Sequence, residues 1–268
     1  MKKLGFFLIA SLLAVFSFTS CLGTSNVLEG QGIGVLEYNN GGYLILKSNL
    51  GHVHANNLEA LMLSGNMSVN NCYLFAYRHD SDLPENSPAM IEINQYETIS
   101  LLDYIEIPKY YTSSVVTDIS KALEDEVALT DVYNTGNPYI PNYYFIWHVV
   151  NQQSDLELDW LMAYDYNNIV TTENGIRYYD IYIRAIAKNS TDKTSKIETV
   201  HLNAYNTGPY LSYIASQEKT ALGGSFNPET SRINIRFNFI SSINEATKEI
   251  TWSSKIISDF YIASFINE

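Results

Sequence analysis

Arg232-Ile-Asn-Ile-Arg-Phe-Asn-Phe239 is the stretch that decides the fold class. Ile233, Ile235, Phe237 and Phe239 alternate with Arg232, Asn234, Arg236 and Asn238. A period of two sends successive side chains to opposite faces of a strand, so one face is apolar and the other wet. Working outward, the same alternation recurs. Leu158, Trp160, Met162, Tyr164 and Tyr166 alternate with Glu157, Asp159 and Asp165, and Ile181, Ile183, Ala185 and Ala187 alternate with Asp180 and Arg184. Further strands are expected from Tyr143 onward, at 197–205 and at 250–257. Half a dozen strands with one apolar face each predict an antiparallel β-sandwich over residues 116–268. Within it, Val116, Ile119, Leu123 and Val127 are spaced for a short amphipathic helix over 114–129.

The first third of the chain reads differently. Gly32–Tyr38, then Asn39-Asn40-Gly41-Gly42, then Tyr43–Lys47 is a hairpin pattern, because Asn and Gly accept the positive φ of a tight turn. A short strand at His52–Ala55, a helical turn at Leu58–Leu63 and strands at Cys72–Arg78 and Ala89–Ile107 follow, with a breaker loop at Pro84 and Pro88. Five strands with a helical turn between the third and fourth outline a small OB-like barrel over residues 31–108. Pro108 to Ser114 reads as the connection between domains. The expected fold is therefore all-β, a small N-terminal OB-like barrel followed by a C-terminal antiparallel β-sandwich.

The chain opens with Lys2 and Lys3, an apolar run from Leu4 to Phe18, and then Thr19-Ser20-Cys21. A charged start, a short apolar stretch and small residues before a cleavage point make an export signal over residues 1–20. The apolar run is too short to span a bilayer, which needs about 20 residues. Thr-Ser-Cys resembles a bacterial lipobox, so Cys21 is the expected lipid acceptor and residues 21–30 a tether. The expected location is the cell envelope, most simply the outer membrane, with the membrane contacted through lipid on Cys21. Loss of residues 1–20 leaves 14 basic against 29 acidic side chains, a net charge of −15. Such a surface repels phosphate backbones, which argues against nucleic acid as a partner. With Cys21 lipidated, Cys72 has no partner for an intrachain disulfide and, within Asn71–Tyr77, reads as a buried inert thiol.

Taken together, the lipobox cysteine, the opening Gly32-Ile-Gly-Val-Leu-Glu-Tyr38, its continuation Gly42-Tyr-Leu-Ile-Leu-Lys47 and a second β unit resemble the NigD-like lipoproteins of Bacteroidetes. The resemblance implies an OB-like domain before a β-sandwich, with 232–238 as a late sandwich strand. It brings no reaction and no catalytic residues. One departure is that Leu22-Gly-Thr-Ser-Asn26, rather than an acidic run resembling a surface-export signal, follows the cysteine.

Several residue groups carry chemistry in principle. His52 and His54 alternate on a strand and offer two imidazoles to one side. Two ligands do not make a metal site, and a third, such as His79 or Asp80, would have to come from elsewhere. Glu157/Asp159 and Glu124-Asp125-Glu126 are carboxylate pairs of the kind glycoside cleavage uses, but alternation explains the first as the wet face of a strand. Asp165-Tyr-Asn-Asn168 lacks the spacing of an EF-hand loop. There is no G-x-S-x-G, Walker A or H-E-x-x-H motif. Tyr110-Tyr111, Tyr143-Tyr144 and Tyr178-Tyr179 each put one ring on either sheet face, and exposed rings beside polar groups serve protein and glycan recognition. The reading that follows is a non-catalytic binding or accessory lipoprotein with no cofactor, Tyr143, Tyr144, Tyr178 and Tyr179 being its candidate contacts with a protein or glycan partner. An appendage subunit is the alternative, and a hydrolase the third.

Overall fold

The computed structural model describes residues 27–49, 51–80, 97–113, 119–140, 143–152, 156–165, 170–173, 176–188, 197–225, 227 and 232–261. Chain packing separates two units, Met1–Glu106 and Ile107–Glu268. The protein is all-β in both.

In the first unit the Asn/Gly turn forms as its residues require. Gly42 takes φ +79°, and the Asn39 side-chain oxygen accepts from the N–H groups of Gly41 and Tyr43 at 2.9 Å each. That turn sets the register of β1 (Val27–Tyr38) on β2 (Leu44–Ser48), with Tyr38 opposite Leu44. β3 (Gly51–Ala55) pairs antiparallel with β2, α1 (Leu58–Leu63) follows, β4 (Cys72–Asp80) returns antiparallel to β1, and β5 (Glu97–Ile107) runs parallel to β3. The strands close into a barrel in the order β1-β2-β3-β5-β4. Greek-key order with a helix after the third strand is the OB arrangement. Leu36, Leu46, Val53, Leu58, Phe75 and Ile99 fill it. Gly32 is required by packing: it faces Phe75 across β1 and β4, and an added Cβ would run into that ring. Cys72 is fully buried and is not part of a disulfide.

The second unit is one sheet folded on itself. Its strands are β6 (Lys109–Ser113), β7 (Glu126–Val127), β8 (Leu129–Ile140), β9 (Tyr143–Gln152), β10 (Leu158–Ala163), β11 (Val170–Glu173), β12 (Ile176–Ala187), β13 (Ile197–Asn206), β14 (Arg232–Ile243) and β15 (Ile250–Tyr261). The order is β15-β14-β12-β10-β6-β13-β9-β8, with β7 and β11 also on β12. The halves on either side of β6 face each other across a core of Ile146, Val150, Met162, Ile181, Ile183 and Ile235. Tyr144 of β9 meets Phe237 of β14 with ring centroids 5.2 Å apart. Lys255 on β15 reaches Asp131 on β8 at 2.6 Å, so the two end strands approach each other.

Four expectations change here. The sandwich is mixed rather than purely antiparallel, because β6 runs parallel to both β10 and β13, and β12 runs parallel to β14. The supposed connection at 108–114 contains β6, in which Tyr110 packs against Tyr205 at 5.8 Å while Tyr111 is 79% exposed. Pro108 suggested a break, yet its carbonyl accepts from Ala204 N–H and leads into the strand. The expected helix at 114–129 is absent over its described part. Residues 119–129 form turns, a single bridge at Lys121 and β7, and Asp125 at φ +57° is incompatible with a continuing helix. A helix lies instead where none was expected, at α2 (Gly208–Leu222), with Pro209 in its first turn and Gly223 at its C-cap. Tyr210, Leu211, Ile214 and Ala215 bury its inner face in the core. Full burial of each large apolar side chain contributes about 1.5–3 kcal/mol.

Candidate functional site

The wet face read from 232–239 pairs with the outward face of 178–182 in a polar network. On β12, Ile181 and Ile183 point into the core, which turns Tyr178, Asp180 and Tyr182 outward. Parallel pairing with β14 sets Tyr178 opposite Asn234, Asp180 opposite Arg236 and Tyr182 opposite Asn238. Asp180 is 2% exposed and accepts four hydrogen bonds. Arg236 gives Nε to Oδ1 at 2.6 Å and Nη2 to Oδ2 at 2.9 Å, Asn238 Nδ2 donates to Oδ1 at 2.8 Å, and Thr171 Oγ1 donates to Oδ2 at 2.7 Å. The remaining guanidinium nitrogen, Nη1, bonds Glu173 at 2.5 Å. These bonds to Asp180 hold the Arg236 proton above its ordinary range. Two aromatic groups flank the network. The guanidinium lies over the Tyr178 ring, 5.2 Å from its centroid, and Tyr182 meets Trp252 of β15 edge-on at 5.2 Å. Charge-assisted bonds of this kind fix side chains in place, so the face is a rigid platform of two rings, two amides and a neutralised ion pair.

The tyrosine pairs divide as strand geometry requires. Tyr144 is buried against Phe237 and Tyr143 is half-buried. Tyr179 is buried and donates its hydroxyl to Glu218 of α2, which also holds Arg177 at 3.0 Å; Tyr178 is the outward ring. Burial, with Glu218 beside it, pushes the Tyr179 hydroxyl well above the usual range, so it stays protonated and pins helix to sheet.

The other candidates scatter. His52 is exposed with Lys47 directly opposite on β2, and His54 Nδ1–H donates to the Leu44 carbonyl at 3.2 Å. Lys47 is itself paired with Glu37 at 2.7 Å, and the bond to Leu44 takes one of the two ring nitrogens of His54. The side chains of His79 and Asp80 lie outside the described residues. Among the described residues no three His, Cys, Asp or Glu side chains gather into a metal site. Glu157 is exposed, and Asp159 meets Lys188 at 3.4 Å on the wet side of β10. Glu124 and Asp125 are exposed too, but Glu126 is buried against Arg184 at 3.1 Å. Of the segment Asp165–Asn168, all but Asp165 lies outside the described residues, as do the export signal and Cys21. Among the described residues no helix is long and apolar enough to cross a membrane.

No family model and no curated protein matches the sequence. Solved structures do match. An uncharacterized protein from Parabacteroides merdae superposes with a TM-score of 0.69 at 18% identity, over 87% of this chain and 99% of that one. The fold is shared over that span. A protein of unknown function from Bacteroides vulgatus gives 0.50 at 13% identity, over 89% and 94%. A NigD-like immunity protein from Bacteroides caccae is also among the similar structures, at 0.46 and 10% identity over 87% and 95%.

Proposed function

We propose that the protein is a NigD-like, lipid-anchored envelope protein that recognises a protein or glycan partner and does not catalyse a reaction, with the outer face of β12 and β14 as its contact surface. The observation that carries this reading is the Asp180 network. Its carboxylate is already met by four donors and its arginine by two carboxylates, so the polar atoms of the network are spent on one another, while Tyr178 and Tyr182 flank Asp180 on the same strand. Rigid rings on a sheet suit a shallow, extended contact. The test is a double variant, Tyr178→Ala with Tyr182→Ala, in cells lacking the wild-type protein. Cross-linking followed by gel shift should show the wild-type adducts disappear while the thermal midpoint stays within a few degrees. Adducts that persist in the variant, or turnover of an envelope polymer by the purified protein, would sink the reading.

The anchor has its own test. Because Cys21 follows the export signal directly, Cys21→Ser should leave the precursor unprocessed or release a protein that enters the aqueous phase on detergent partitioning. Unchanged attachment would refute lipidation.

A further inference from the structure

We infer that the surface formed by β12 and β14 binds an uncharged glycan chain laid along the strands; this rests on the recognition reading above and specifies its ligand. The first argument is charge. Arg236, between the two tyrosines, gives its Nε and Nη2 to Asp180 and its Nη1 to Glu173, and Arg184 further along β12 is buried beside Glu126 and Trp252. An anionic ligand would have to displace Glu173 and approach a mature chain of net charge −15, whereas a cationic ligand would meet the fully bonded Asp180 carboxylate and a Glu173 already paired with Arg236. Both are disfavoured, and a neutral ligand is not.

The second argument is the repeat. Tyr178 sits opposite Asn234 and Tyr182 opposite Asn238, giving the same ring-and-amide pair twice. Four residues of strand separate the two pairs by about 13 Å. Each amide spends its Nδ2 on the protein, Asn234 on the Arg177 carbonyl at 3.4 Å and Asn238 on Asp180 at 2.8 Å. Among the described residues neither carbonyl oxygen has a donor, so each offers an acceptor next to a half-buried ring. A ring for the apolar face of a sugar and an acceptor for its hydroxyl, repeated along a line, matches a polymer of sugar units better than a single small molecule. Trp252 braces the Tyr182 ring, and the guanidinium packs over Tyr178. Both rings are therefore ordered before binding, which lowers the entropic cost of contact.

Affinity electrophoresis of the detergent-solubilised full chain through gels containing amylose, xylan or mannan, and in parallel polygalacturonate or heparin, tests this. At least one neutral polysaccharide should retard the protein and neither anionic one should. Tyr182→Ala should weaken the retardation about ten-fold and Tyr178→Ala comparably. Tyr133→Ala serves as the control, since Tyr133 is 41% exposed and stacks on Trp147 of the other half of the sheet, away from this face. It should leave retardation unchanged. No retardation in any neutral gel, stronger retardation by an anionic one, or equal loss in Tyr133→Ala overturns the glycan assignment. If it falls while the cross-linked adducts still depend on Tyr178 and Tyr182, the recognition reading survives with a protein as partner. If those adducts are also insensitive, both fall.

Discussion

Glu126→Ala should lower the free energy of unfolding by about 3–5 kcal/mol, as loss of one partner of a buried ion pair does. Neither side chain of the pair reaches water to a useful extent, Arg184 being 2% exposed and Glu126 0%. Arg184 Nε lies 3.1 Å from Glu126 Oε1, its Nη2 donates to the Lys121 carbonyl at 3.0 Å, and its guanidinium lies 5.6 Å from the centre of the Trp252 ring. Glu126 Oε2 in turn accepts from Leu123 N–H at 2.7 Å, and Trp252 Nε1 donates to the Ile119 carbonyl at 2.8 Å. The segment 119–127 is thus fastened to β12 and β15 through one buried cation. Burial pushes the Glu126 carboxyl above its usual range, while Leu123 N–H and Arg184 pull it back. Alanine would leave the guanidinium desolvated without a counter-charge. A paired replacement, Glu126→Leu with Arg184→Met, should recover most of the loss, because the pair's own desolvation disappears with it. Urea denaturation of the three proteins measures this. A loss below about 1 kcal/mol in Glu126→Ala would mean that water reaches the pair, as at surface ion pairs.

Glu126 also shows where sequence reading stopped. In Glu124-Asp125-Glu126 all three carboxylates look alike, and the burial of the third comes from β7 pairing with Ala185 and Ile186 on a strand some 60 residues later. Asp180 and Arg236 are each legible as outward residues of alternating strands, yet their bond crosses 56 residues of chain and depends on parallel pairing that no local pattern encodes. The barrel was legible because its signals are local: the Asn/Gly turn, the short strands and the helical turn all lie next to what they join. Helix α2 escaped notice because Tyr210, Leu211, Ile214 and Ala215 are interleaved with Ser212, Tyr213, Ser216 and Gln217, a weak contrast between faces. Gly208-Pro209 in its first turn and Gly223-Gly224 after it were the available start and stop signals. Strand β6 was hidden by Pro108, which ends one strand and directly precedes another.

Acidification from pH 7 to pH 5 should destabilise the protein by about 2 kcal/mol through His148 alone, since one proton taken up only by the unfolded chain changes stability by about 1.4 kcal/mol per pH unit. His148 lies on β9 with its ring wholly buried, 4.3 Å from that of Trp160 and with Nε2 3.1 Å from the Tyr205 hydroxyl. Burial pushes its pKa down to about 3. A depressed histidine contributes its full stability above the unfolded value near 6.5, and the contribution is lost progressively as pH falls toward the folded value. His201, directly opposite on β13 and also lowered by burial, acts in the same direction. The window from pH 7 to 5 lies above the range in which most carboxylates titrate, so these two imidazoles dominate it. His148→Leu keeps an apolar filling for the site and removes the titrating group, whatever it does to stability at pH 7. Urea midpoints at pH 7, 6 and 5 should therefore fall less steeply in the variant than in the wild-type protein. Equal slopes in the two would show that His148 takes up its proton in the folded state, and the ring would then have to be reached by water through a core that the packing of Trp160, Tyr205 and Val150 closes.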